Sequence, residues 1–101
     1  MARFLLQDAA TFRLDEIYRY SLDKWGREKA DSYIEGLFDA FAEIGEKEVF
    51  SHPIPVEFGI IGFYFKYQKH VVYWKYLDNG EIGIVTILHE RMHQIKHFDW
   101  F

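Results

Sequence analysis

The chain has 101 residues, half of them hydrophobic and a fifth aromatic, with no cysteine and a formal charge of −4. This length predicts one domain, residues 1–101, able to bury roughly 60–70% of its unfolded surface without covalent staples. Without cysteine, disulfides, thiol catalysis and cysteine-ligated zinc are excluded. No apolar run approaches the ~20 residues of a membrane span, and Phe4-Leu5-Leu6 is too short for a signal-peptide core, so the expectation is a soluble, cytoplasmic protein. The charge is uneven: residues 26–57 carry three basic and eight acidic groups, residues 58–101 five and four. Strong direct binding to nucleic acid is therefore not expected, although a local basic patch near the C-terminus is compatible with these counts.

In chain order, residues 2–6 read as a short strand. Asp8 is the candidate N-cap of a first helix, whose apolar face is Leu14, Ile17, Tyr18, Ser21 and Trp25 and whose stop is Gly26. Trp25 is expected to plug the helical hairpin. The second helix runs from about Arg27 to Lys47, with an apolar stripe of Ala30, Tyr33, Ile34, Leu37, Phe38, Phe41 and Ile44. Its acidic outer face, Asp31, Glu35, Asp39, Glu43 and Glu46, reads most simply as solvated surface. So tight a junction predicts an antiparallel helical hairpin.

Ser51–Glu57, with Pro53 and Pro55, is an extended connector. Three strands follow, over Gly59–Tyr67, Lys69–Leu77 and Glu81–Leu88, the last two joined by the turn signal Asp78-Asn79-Gly80. Phe63 and Phe65 fall on one face of the first of them and Tyr64 on the other. The order β-α-α-β-β-β with a short C-terminal helix or tail predicts an α+β fold, a helical hairpin packed on a mainly antiparallel sheet.

Three ordered motifs carry a family resemblance over nearly the whole chain. Ala9, Leu14, Ile17 and Tyr20, followed by Trp25-Gly26, Ala30, Tyr33 and Leu37, resemble the two-helix ladder of the ParE/RelE toxin superfamily. Lys69-His70-Val71-Val72-Tyr73-Trp74-Lys75 is similar to its S-H-V-I-F-Y-R strand, and Ile87-Leu88-His89-Glu90-Arg91-Met92 to its closing I-L-H-x-R-M-D. The ParE branch is the nearer one, so the fold implied is RelE-like. The resemblance implies the toxin of a type II toxin–antitoxin pair, of the kind that stabilises plasmids or chromosomes. Such a toxin is neutralised by a cognate antitoxin and inhibits DNA gyrase by binding, with no catalysis or cofactor required. The chain departs from the family pattern at Phe63 and Tyr64, where an Arg pair is often found, and at His93, usually Asp.

Under this reading His89, Arg91, Met92 and Tyr64 are the expected target-binding residues. Phe63, Phe65, Phe98, Trp100 and Phe101 are the expected antitoxin-binding residues, although the strand aromatics read most simply as core. If the protein is an enzyme instead, the candidate is a RelE-type ribosome-dependent mRNA endonuclease, with Arg91 stabilising phosphorane charge and His93 as general acid. A more remote alternative comes from His89-Glu90-x-x-His93, which fits the zinc-hydrolase pattern H-E-x-x-H. That chemistry needs both His on one helix and a third ligand; His97 would lie about 12 Å from His89 along a helix axis, too far to share one ion, which leaves an upstream residue such as His70 or Glu81 as the third ligand. No metal site is expected. His70, inside a strand, is expected to be a hydrogen-bonded structural histidine.

Overall fold

The computed structural model describes residues 4–44, 51–55 and 61–92. Their element order is β1 (Phe4–Leu6), α1 (Asp8–Trp25), α2 (Arg27–Ile44), β2 (His52–Pro53), β3 (Phe63–Tyr67), β4 (His70–Tyr76), β5 (Ile82–His89) and a 3-10 turn, Glu90–Met92. One five-stranded sheet has the order β1-β5-β4-β3-β2, antiparallel throughout except that β1 runs parallel to β5. This is the expected α+β architecture, two helices on a mainly antiparallel sheet.

The helices follow their apolar spacing. Ala10, Leu14, Ile17 and Ser21 of α1, and Ala30, Leu37, Ala40, Phe41 and Ile44 of α2, are buried at intervals of three and four residues. Gly26, at φ 89°, supplies the left-handed backbone that ends α1, and its N–H donates to the Leu22 carbonyl. Its own carbonyl then accepts the Ala30 N–H, so one residue stops the first helix and starts the second. Two expectations change here. Asp8 lies inside α1, where its charge suits the helix N-terminus, and the cap is Gln7, held by its N–H to the Ile84 carbonyl at 3.0 Å. Trp25 does not plug the hairpin: the helix stops directly after it, leaving the indole 49% exposed against the edge of Tyr20.

The main core lies between the helices and one sheet face, and centres on Leu37, Phe41, Phe65, Val72, Trp74, Ile84 and Ile87. Gly36 lets α2 close onto β3, since a Cβ there would collide with the Tyr67 phenol. The opposite sheet face carries a second cluster, Ile54, Val71, Tyr73 and Leu88, with Tyr64 and Val85 packed against it. The register of β4 with β5 shifts between Tyr73 and Trp74, where Val85 is the extra residue. That bulge explains why β5 reads as a continuous apolar run: the helix-facing positions are Ile82, Ile84 and then Ile87.

The expected connector contains a strand. His52 and Pro53 pair with Tyr64 and Phe63 at the sheet edge, where a proline costs no ladder bond to a neighbour on its far side. Trp74 Nε1 donates to Ser51 Oγ at 3.0 Å and the Ile54 N–H to the Gly62 carbonyl at 2.9 Å, which holds this segment in place. The Asp78-Asn79-Gly80 turn forms as expected, with Gly80 at φ 86°.

Candidate functional site

The 3.6-residue periodicity that buries Ile17 and Ser21 also sets Arg13, Glu16, Tyr20 and Lys24 along the adjacent, more exposed edge of α1. Opposite them the sheet ends, with the β3–β4 turn at Lys69, the start of β4 at His70 and the end of β5 at His89. Between these edges lies a cleft of about 590 Å³. Ile17, Ser21 and Ile87 form its floor, Tyr20 and Trp25 one wall, and Tyr33, His70 and His89 the other, with Arg91 at the mouth. Tyr20 and Trp25 meet edge to face at 5.9 Å, and Lys24 Nζ sits 5.7 Å over the Tyr20 ring. Arg13 is paired with Glu16 at 3.0 Å.

The far wall is a hydrogen-bonded array. Tyr33 on α2 and His70 Nδ1 on β4 are joined at 2.6 Å, and the Tyr67 carbonyl, 3.4 Å from the Tyr33 hydroxyl, is a second acceptor for its single proton. His70 stands opposite His89 in the β4–β5 register, with ring centroids 5.4 Å apart. Burial, reinforced by His89 and opposed by Glu90, pushes the His70 imidazole down to about 4. Burial likewise pushes the Tyr33 phenol up to about 12. At neutral pH both are therefore uncharged, and His70, inside its strand, is hydrogen-bonded, as expected.

The expected target-binding residues divide between two faces. His89 and Arg91 line the cleft, and the Arg91 N–H donates to His89 Nδ1 at 3.1 Å. Met92 closes the 3-10 turn beside them. Tyr64 is not brought to this group; it lies on the other sheet face against Tyr73. Of the expected antitoxin-binding set, Phe65 is 4% exposed and belongs to the main core. Phe63 is half-buried, stacked on Trp74 with centroids 4.6 Å apart. Phe98, Trp100 and Phe101, and the candidate acid His93, lie outside the described residues.

The zinc-hydrolase lettering fails on secondary structure. His89 is the last residue of a strand and Glu90 opens a 3-10 turn, so they do not share an α-helix. The Glu90 carboxylate accepts from Lys66 Nζ at 3.0 Å, and that hydrogen bond holds its pKa below the usual carboxylate range. Among the described residues no group of three or more His, Cys, Asp or Glu side chains could hold a metal ion.

Sequence reasoning missed the cleft's α1 wall and the role of Tyr33. Tyr20 was visible only as a position of the family's two-helix ladder and Trp25 as part of the apolar face of α1, and both rings are about half exposed. A tyrosine at the polar margin of the α2 stripe is the one signal that could have singled out Tyr33.

The family described as "ParE toxin of type II toxin-antitoxin system, parDE" matches residues 4–94. The chain is 28% identical over 93 residues to Toxin ParE1 of Mycobacterium tuberculosis, in strains CDC 1551 / Oshkosh and ATCC 25618 / H37Rv, covering 90% of this chain and 92% of that one. Its fold superposes on a chain of the chromosomal ParDE TA system from P. aeruginosa with a TM-score of 0.65 at 17% identity, covering 88% of this chain and 96% of that one. The helical hairpin, the sheet order and a family match over nearly the full length together place this chain in the ParE toxin family of type II toxin–antitoxin systems.

Proposed function

We propose that this toxin arrests growth by binding DNA gyrase, that the α1/β5 cleft with His89, Arg91 and Met92 is its target-binding face, and that a cognate antitoxin neutralises it in the cytoplasm. The observation that carries the reading is the family match across residues 4–94. The cleft supports binding over catalysis. Its Tyr20–Trp25 wall and the Arg91 side chain are the aromatic and arginine groups that anchor protein interfaces, whereas Tyr33 and His70 are tied to each other by a hydrogen bond. Among the described residues no helix is long and apolar enough to cross a membrane.

Expression of the toxin alone should stop growth and induce an SOS response, and the purified protein should inhibit gyrase supercoiling, with Arg91→Ala impaired in both. Co-expression of the antitoxin should restore growth. The ribonuclease reading takes its support from Arg91 standing beside His89 at the cleft mouth. Rapid mRNA cleavage with intact chromosomes, lost in Arg91→Ala, would replace the gyrase reading with that one.

A further inference from the structure

The glutamate of the H-E-x-x-H lettering is not used by the proposed binding chemistry, yet it is among the most connected side chains near the cleft. Its backbone N–H donates to the Lys69 carbonyl at 2.8 Å. Its carboxylate accepts from Lys66 Nζ at 3.0 Å and lies 4.0 Å from Lys69 Nζ. Lys66 belongs to β3 and Lys69 to the β3–β4 turn, while Glu90 follows β5. Since β4 separates β3 from β5, the carboxylate reaches across a whole strand to fasten the end of β5 to the sheet's far side. The next residue is Arg91, whose N–H closes the turn onto His89 Nδ1 at 3.1 Å. The chain around Arg91 is thereby fixed at three points: the Glu90 amide, the Glu90 carboxylate and the His89 ring.

We propose that Glu90 is a positioning residue, which clamps the 3-10 turn to Lys66 and Lys69 and so holds Arg91 at the cleft mouth ready for the target. This rests on the reading of Arg91 as a target-binding residue. The clamp acts on affinity more than on folding. The three side chains are 34%, 59% and 71% exposed, and ion pairs at such exposure add little to global stability. Fixing the backbone that carries Arg91 removes part of the ordering cost that binding would otherwise meet.

The test compares Glu90→Gln, Lys66→Gln, Arg91→Ala and the Glu90→Gln/Arg91→Ala double variant. The readouts are thermal unfolding, backbone 15N order parameters at Arg91 and inhibition of gyrase supercoiling. Glu90→Gln and Lys66→Gln should melt within a few degrees of the parent while the Arg91 amide loses order. Each should weaken inhibition by roughly three- to tenfold, and the double variant should be no weaker than Arg91→Ala alone, since both changes remove one interaction. An Arg91 amide as ordered in Glu90→Gln as in the parent overturns the clamp. So does full inhibition by Glu90→Gln when Arg91→Ala has lost it, and in that case the target-binding reading stands. If the amide loses order but Arg91→Ala inhibits like the parent, the positioning holds and the assignment of Arg91 to the target face is what fails.

Discussion

Lowering the pH from 7 to 4 should destabilise the protein through His70, and the size of the effect follows from its surroundings. The imidazole sits half-buried between Tyr33, which bonds its Nδ1, and His89 across the strand pair, with Tyr67, Lys69 and Glu90 close by. Burial first and His89 second hold its folded pKa at about 4, against 6.5 in the unfolded chain. The depressed group is a base, so the folded state favours its neutral form. Above pH 6.5 both states leave it unprotonated and no stability depends on it. As pH falls below 6.5 the unfolded chain binds a proton that the folded protein refuses, and stability drops until the folded pKa is reached. Linkage sets a ceiling of about 3 kcal/mol by pH 4, and solvent screening at this half-buried site brings the expected loss to about 1–2 kcal/mol. Urea unfolding at a series of pH values measures it, with His70→Asn as the control, because the amide keeps a polar partner for Tyr33 but cannot titrate. The difference between the two proteins should grow from pH 7 to pH 4 in favour of the variant. Parallel curves, or an NMR titration placing His70 near 6.5 in the folded protein, would refute the reasoning.

Three further outcomes follow from the same packing. Tyr33→Phe strands His70 Nδ1 without its 2.6 Å partner and should cost about 1–2 kcal/mol in urea unfolding. Phe41→Ala empties a fully buried position between the helices and Phe4, and should cost about 3–5 kcal/mol by the same assay. Trp25→Ala removes a half-exposed ring and should change stability by less than about 1 kcal/mol. In the gyrase assay, however, it should weaken inhibition about tenfold or more, as expected when an aromatic anchor is lost. Unchanged inhibition by Trp25→Ala would remove the α1 wall from the target face.

The helices were legible in the sequence because burial repeats every three or four residues, and that repeat is local. Leu14, Ile17 and Leu37 needed no knowledge of what they pack against. The last two strands were legible because a hairpin turn separates them and β-branched residues fill them. What was not legible depends on distant partners. The Tyr33–His70 bond joins positions 37 residues apart, and no local pattern says that these two residues are partners. β2 was hidden because a two-residue edge strand containing proline has the composition of a loop. Tyr64 was grouped with Arg91 through a family position, but the two-residue alternation of β3 turns it away from the cleft. The stop at Gly26 was legible, but whether the last ring before it is covered depends on what packs beyond the helix end, and Trp25 is left half exposed.

The pairing of β1 with β5 has a consequence for how the protein comes into being. Phe4, Leu5 and Leu6 find their partners at Ile82, Gly83 and Ile84, so β1 waits for β5 before it can join the sheet. Contacts between such distant segments are slow to form, because the loop between them must close first. During synthesis the hairpin of α1 and α2 leaves the ribosome well before β5, with its apolar stripe still uncovered. The cleft cannot exist until β5 arrives, since one of its walls is the end of that strand. A nascent chain therefore lacks the cleft until β5 has been made and has paired with β1 and β4.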